Sequence, residues 1–351
     1  MSLVLLLGSV NAGCTAYRPP PGAALPAGAV SESAPSQVWA ARAGRRLTGR
    51  LVLDDGVIYG AGVDRKVYAV DLETGALRWS SRLSGLVAGG VLVSGDTVYA
   101  ATSRPDGRVY ALERQTGKRL WRVRTGPIAA PITMASGRLI VSSQGGQLLG
   151  LEPRDGSSRW RQRMSMARVA PVESGNGSVV VATVDSIYRL KADDGTITHR
   201  VRSPGTIVSP WIVHAGALVA GTTDSQIVAM DPADLRVRWS LRVDAPVLGS
   251  PAVVGDTMFA ASRRGTLYRI PPGAPRIERV VELDWPVTAP LSIVNDQILL
   301  GGADGALRAL RPDGTELWRV QLWRPVELGP VALDDGLLAI GGNGDLHRYR
   351  Q

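Results

Sequence analysis

The sequence predicts an all-β chain built from one repeated four-stranded unit, and three observations carry that prediction. Tryptophan returns at Trp39, Trp79, Trp121, Trp160, Trp239 and Trp318, with gaps of 40, 42, 39, 79 and 79. Each gap of 79 is a double period, with His199 and Arg279 standing where the missing rings would be. Turn residues interrupt the chain every few residues, and no long window carries a helical period. A fixed period of this length marks an array of supersecondary units, and a unit of four short strands is a propeller blade.

The second half of each unit reads as strand, turn, strand. Residues Ala69 to Trp79 and Ala111 to Trp121 repeat one spacing, Gly150 to Trp160 and Ala229 to Trp239 keep it, and Ala309 to Trp318 is one residue shorter. The acidic residue followed by Thr-Gly or Asp-Gly is hairpin chemistry, because glycine accepts positive φ and Asp or Thr bonds its own turn. Turn-forming is accordingly the role assigned to Asp71, Asp155, Asp194, Asp231 and Asp313. In the strand before the turn, Val67, Ala69 and Asp71 point one way and Tyr68 and Val70 the other.

The first half is a hydrophobic hairpin, as in Val91 to Ala100 and Ala252 to Ala260. Pro131, Pro171, Pro210, Pro251, Pro290 and Pro330 precede it, and proline at a strand's first residue costs no ladder bond. Inner strands are expected near Leu51, Val91, Ile132, Val172, Ile212, Ala252, Leu291 and Val331. The last unit has three strands, and Val38-Trp39-Ala40 supplies the fourth. The expected fold is therefore an eight-bladed β-propeller of four-stranded antiparallel blades, closed by an N-terminal strand that completes the last blade. It spans residues 38–351 as a single domain and leaves only short edges.

The 44% hydrophobic content over 351 residues suffices for a buried core. Net charge is +9, with pI near 10.2. An electropositive surface suits anionic lipid, lipopolysaccharide or nucleic acid. However, Lys66, Lys118 and Lys191 are the only lysines, and the arginines are scattered, as a base-composition bias would leave them. No motif supports nucleic-acid binding.

Catalytic and metal signatures are absent from the sequence. His199, His214 and His347 are isolated, and no HxxxH, HExxH or CxxC spacing occurs. Gly145-Gly146 and Gly301-Gly302 open no helix, so they are not phosphate loops. Nothing points to a Ser-His-Asp set assembled across blades. The inner-strand starts Ala129-Ala130-Pro131, Val208-Ser209-Pro210 and Thr288-Ala289-Pro290 place small residues around the axis, with few ligands for a quinone or calcium. The expectation is a non-enzymatic protein with no cofactor and no metal.

Cys14 is the single cysteine, so no intrachain disulfide is possible. Leu3 to Val10 is apolar and too short to span a bilayer. With Val10-Asn11-Ala12-Gly13-Cys14 it resembles a bacterial lipoprotein signal, which implies lipidation at Cys14. Asn11 stands where leucine is usual, and no basic residue precedes the apolar run. Segment 1–13 is the signal-like part. Segment 14–37, rich in Pro, Ala and Ser, is tether composition. Thr15 after the cysteine implies the outer membrane.

The unit Ala-x-Asp-x-x-Thr-Gly-x-x-x-Trp, with Arg108-Val109-Tyr110-Ala111-Leu112 and Gly265-Thr266-Leu267-Tyr268, resembles the PQQ-type propeller repeat. In that repeat the tryptophan packs flat between blades, and the small residues Ala69, Ala111, Gly150, Ala229 and Ala309 make room for it. Quinoprotein dehydrogenases of this kind bind PQQ and calcium on the axis. The chain is similar to the other kind, the outer-membrane-protein assembly factor BamB and related lipoproteins, which bind no cofactor. It has the length of a bare propeller, and Cys14 alone cannot form the adjacent-cysteine disulfide of many dehydrogenases.

The resemblance implies a lipid-anchored scaffold on the periplasmic face of the outer membrane. Its partners would be the POTRA region of BamA and associated lipoproteins, with no nucleic acid and no small-molecule substrate, and it would be a monomer. The family's apolar-x-apolar-Arg contact stretch matches Met164-Ser165-Met166-Ala167-Arg168 here, which makes Met164, Met166 and Arg168 the candidate contacts. The loop is shorter than the family's, and methionine replaces leucine. The family's acidic loop in the following blade matches about Ser203 to Val208, which holds no Asp or Glu. A quinoprotein redox propeller and a glycan- or peptidoglycan-binding surface lipoprotein remain the alternatives.

Overall fold

The structure is a computed structural model that describes residues 33–351 except 106, 129, 273–275, 323 and 343. Cys14, the signal-like segment and most of the tether lie outside the described residues. Strands are the only regular elements described, and they form antiparallel meanders of four. The meanders cover residues 47–82, 87–124, 133–163, 172–202, 212–242, 252–282 and 292–321. Residues 331–350 give three further strands, and Ser36–Arg42 adds the fourth by pairing with Asp345–Arg350. That edge strand begins inside the segment assigned to the tether.

The inner strands after Pro131, Pro171, Pro210, Pro251, Pro290 and Pro330 start one or two residues past the proline. The first two start earlier than expected, at Leu47 and Val87. They lack the proline, so their N–H groups stay available to the ladder. Gly49, Gly89 and Gly90 all take positive φ, and the backbones at Gly49 and Gly89 approach so closely that a Cβ would collide. A parallel bridge between Arg50 and Gly90 then joins the two meanders into one eight-stranded sheet.

The core is not central. It is divided into clusters, each lying between two successive meanders. Val67 and Ala69 pack with Val98, Ala100 and Tyr110 of the next meander. Tyr68 and Val70, on the opposite face of the same strand, pack with Leu338, Ile340 and Leu346. The alternation read from the sequence is therefore real, but both faces are buried, because each sheet has a neighbour on either side.

Tryptophan fastens one meander to the next. The indole N–H of Trp39, Trp79, Trp121 and Trp160 donates to the carbonyls of Leu72, Arg114, Pro153 and Ala192 at 2.9, 2.9, 2.9 and 2.8 Å. Every acceptor lies in the hairpin turn of the following meander, three residues before its glycine. The ring covers that glycine, and a Cβ at Gly75, Gly117, Gly156 or Gly195 would run into it. Within its own sheet each ring faces the expected small residue, as Trp79 faces Ala69 and Trp160 faces Gly150. Trp39 differs, since its cross-strand partner is the buried Arg348.

Where the ring is missing, the partner turn changes. His199 faces Arg189 in its sheet. The next turn carries Leu235 in place of glycine, at φ 63° and 1% exposed, packed with Val201 and Met230. At Arg279 the bulge lies two residues earlier along the third strand, so that Arg279 pairs with Tyr268, and Val280 and Val281 cover Gly314. Trp318 donates to the side chain of Gln297 at 3.0 Å, which also receives the amide of Gln351 at 3.0 Å.

Nearer the axis, hydroxyls tie successive inner strands. Thr133 donates to Pro171 O at 2.7 Å, Thr288 to Val326 O at 2.6 Å and Ser292 to Pro330 O at 2.9 Å. A clasp joins the two ends of the array. The carbonyl of Leu72 accepts from both Trp39 and Arg348, and Arg348 also pairs with Glu73 at 2.7 Å and Asp335 at 3.0 Å.

Two predictions follow from this packing. Trp160→Ala is expected to cost roughly 3–5 kcal/mol. Leu235→Gly relieves about 1–2 kcal/mol of left-handed strain but loses a buried leucine worth about 2–5 kcal/mol, so destabilisation wins. Urea unfolding checks both, and a stabilised Leu235→Gly would contradict the packing role of Leu235. The hairpin aspartates generate a third prediction. Arg78 and the Thr74 N–H and hydroxyl pull Asp71 down to about 2, and Asp155, Asp194, Asp231 and Asp313 are lowered by turn donors and nearby cations. Such carboxylates stabilise the fold above their unfolded value and lose that contribution as pH falls through the folded one. Thermal midpoints are expected to drop between the ordinary 3.8 and about 2.

Candidate functional site

The two faces of the array are built differently. One carries the hairpin turns beneath the tryptophans. The other carries the crossover loops, which run from each outer strand to the next inner strand, together with the hairpins between second and third strands. Loop bridges pin the second face, as in Ile128 to Ser143, Ala167 to Thr183, Ile207 to Thr222 and Val287 to Gly302.

The predicted contact stretch lies in the crossover loop between Ser158–Arg163 and Val172–Glu173. Met164 is 8% exposed and packs with Ile140, Leu148 and Val181, while its N–H donates to Gly146 O at 2.9 Å. Ala167 and Val169 are also buried. With 164, 167 and 169 anchored inward, Ser165 and Arg168 are exposed and Met166 is half-buried. The loop therefore presents Met166 and Arg168, and Met164 serves the core.

Asp185, in the hairpin facing this loop, holds it in place. Its carboxylate accepts from the hydroxyls of Ser165 and Thr183, which keep it below the usual carboxylate range, Ser165 foremost. The neighbouring Val184 is 41% exposed. The next crossover loop, Ser203 to Val208, docks on the same hairpin through Ser203 N to Asp185 O at 3.0 Å. Its Gly205 lies against the carboxylate of the exposed Asp224. The acid sought within that loop is thus supplied beside it by Asp185 and Asp224. Sequence spacing gave no signal for this, because both belong to hairpins that reach the surface between crossover loops.

Around the axis the residues do not fit a calcium and quinone site. Ser209 Oγ accepts from Gly221 N at 2.7 Å, and the Thr288 hydroxyl is engaged by Val326 O. Gly249 and Gly329 lie against Pro290 from either side. Among the described residues no three His, Cys, Asp or Glu side chains group so as to hold a metal ion. A cleft of about 230 Å³ is lined by Leu248, Gly249, Thr288, Pro290 and Leu291, together with Arg263 and Glu327. Glu327 is already paired with Arg46 at 2.8 Å.

A family model described as outer membrane protein assembly factor BamB matches residues 27–171 and 167–282. The chain belongs to the BamB family. No curated protein matches it in sequence. Among solved structures, BamB from Moraxella catarrhalis is similar at TM-score 0.78 and 18% identity, covering 91% of this chain and 98% of that one. The computationally designed Ika8 protein follows at 0.74 and 14%, covering 89% and 99%. Quinohemoprotein alcohol dehydrogenase from Comamonas testosteroni gives 0.70 and 14%, covering 90% of this chain and 76% of its own. These likenesses establish the β-propeller fold shared by BamB and by quinoproteins.

The division of the loop has a testable consequence. Met164→Ala is expected to cost about 2–5 kcal/mol in urea unfolding. Arg168→Glu is expected to stay within about 0.5 kcal/mol of the parent, as an exposed substitution does. Equal losses at the two positions would overturn the assignment.

Proposed function

We propose that the protein is a non-enzymatic BamB-type scaffold of the outer-membrane β-barrel assembly machinery. In this reading residues 38–351 close into an eight-bladed ring with Ser36–Arg42 completing the last blade. Cys14 carries the lipid, 14–37 is the tether, and the protein sits on the periplasmic face of the outer membrane. Its partner is the POTRA region of a BamA-like protein. The observation that carries the reading is the crossover loop. Met166 and Arg168 stand on a backbone pinned at Met164, Ala167 and Val169, beside the hairpin of Val184 and Asp185. An apolar side chain next to a basic one on a rigid loop is interface chemistry. A pre-organised loop also binds with little ordering cost.

The axis, whose hydroxyls are engaged and whose carboxylates do not cluster, supports a role without catalysis. Among the described residues no grouping favours the glycan-binding alternative. The test is binding of the full chain to the purified POTRA region of its own BamA by calorimetry. Met166→Glu with Arg168→Glu is expected to weaken binding at least about tenfold, or roughly 1.4 kcal/mol, with unchanged unfolding. Unaltered affinity in that double variant would remove the loop from the interface. No binding by the folded parent would defeat the scaffold reading.

A further inference from the structure

The arginines are not evenly distributed between the two faces. At the hairpin-turn end of the outer strands three are neutralised: Arg78 pairs with Asp71 at 2.6 Å, Arg159 with Glu152 at 3.1 Å and Arg238 with Asp231 at 2.7 Å. At the crossover end, the last residue of five consecutive outer strands is arginine: Arg82, Arg124, Arg163, Arg202 and Arg242. All five are exposed, and among the described residues none has a carboxylate in ion-pair range. Each pairs in register with the first residue of its third strand, at Lys66, Arg108, Gln147, Ser186 and Gln226. Equivalent register places the five at the same height on the rim.

The carboxylates in this sector are turned to hydroxyls instead. Asp64 accepts from Tyr68, Asp185 from Thr183 and Asp244 from Thr266. The rest of the rim is different. The same position is Glu282 and Gln321 in the next two meanders, and Arg42, on the closing strand, pairs with Asp345 at 2.8 Å. Charge on an edge strand discourages edge-to-edge pairing wherever along the strand it stands. Edge protection therefore does not explain why the five share one register position.

We infer that this arc of five rim arginines is a contact surface for an anionic phospholipid bilayer. A planar sheet of phosphates meets all five at once, because they share one height over five adjacent meanders. A folded protein domain seated on one crossover loop would meet only those beside it. Guanidinium groups suit phosphate oxygens, and basic residues near an anionic bilayer each strengthen binding about fivefold. The surface is separate from the Met166 and Arg168 contact, although Arg163 and Arg202 flank that loop. The inference stands whether or not BamA is the partner.

The experiment is flotation of the full chain with phosphatidylcholine vesicles, with and without phosphatidylglycerol. Arg124→Gln, Arg163→Gln and Arg202→Gln are combined in one variant. A charge-matched control combines Arg119→Gln, Arg154→Gln and Arg236→Gln on the opposite face. Binding is expected only to the anionic vesicles, and to fall as salt shortens the screening length from about 10 Å at 0.1 M to about 3 Å at 1 M. The rim variant is expected to bind on the order of a hundredfold more weakly. The control, and the rim variant rebuilt with lysines, are expected to keep most of the binding. All variants are first matched to the parent in thermal unfolding. Equal binding to neutral vesicles, an equal loss in the control, or capture by soluble polyglutamate without capture by anionic vesicles would overturn the inference. The last result would assign the arc to an acidic protein.

Discussion

The rest of the structure depends on one contact, the indole of Trp39, Trp79, Trp121 and Trp160 laid over the turn glycine of the next sheet with its N–H on that turn's carbonyl. A four-stranded meander cannot bury both faces alone, and the core clusters here all lie between sheets. The tryptophan converts this requirement into a fixed angle and spacing, since apolar burial is non-directional while a hydrogen bond is not. Glycine under the ring and the small residue beside it are consequences of the same contact. Leu235 makes the constraint visible by exception. Where the ring is absent on one side of the joint, bulk appears on the other, even at the cost of a left-handed leucine.

The two ends of the chain meet under the same rule with an added charge. Trp39 repeats the indole contact, but its cross-strand neighbour is Arg348 rather than alanine. The guanidinium reaches the same Leu72 carbonyl and two carboxylates, Glu73 and Asp335. The joint without chain continuity thus carries polar ties beyond the indole bond, as does the joint of the first two meanders, where Arg114 pairs with Asp54 at 2.8 Å. At the preceding joint Trp318 uses Gln297 and Gln351 in place of a hairpin carbonyl.

The stabilising ties and the proposed contacts fall on opposite faces. The turn face holds the indole acceptors, the capped aspartates and the arginines paired with them, such as Arg78 and Arg238. The crossover face holds loops pinned at alternate residues, which leaves the intervening side chains exposed on a stiff backbone. Met166 and Arg168, the acids of the neighbouring hairpins and the unpaired rim arginines all belong there. A rigid scaffold with variable loops at one end is the usual way a repeated fold acquires specificity.

The sequence by itself determined the repeat. Its period, the hairpin chemistry of Asp71 and Gly75, the prolines before the inner strands and Val38-Trp39-Ala40 as the fourth strand of the last unit were legible because each follows from local preferences recurring at one spacing. The BamB likeness was legible in the same motif, and so was the place of Met164 to Arg168 in the loop after an outer strand. Only the tertiary structure decided which side of that loop faces outward. Met164 and Met166 have the same chemistry, and burial of the first depends on Ile140 and Val181 from adjoining strands. Tertiary structure also decided that Asp185 and Asp224 stand beside the loops, that Leu235 replaces a ring, and that the arginines sort into paired and unpaired sets. Those outcomes depend on contacts between residues about one repeat apart, and a periodic sequence specifies such contacts only once neighbouring sheets have packed.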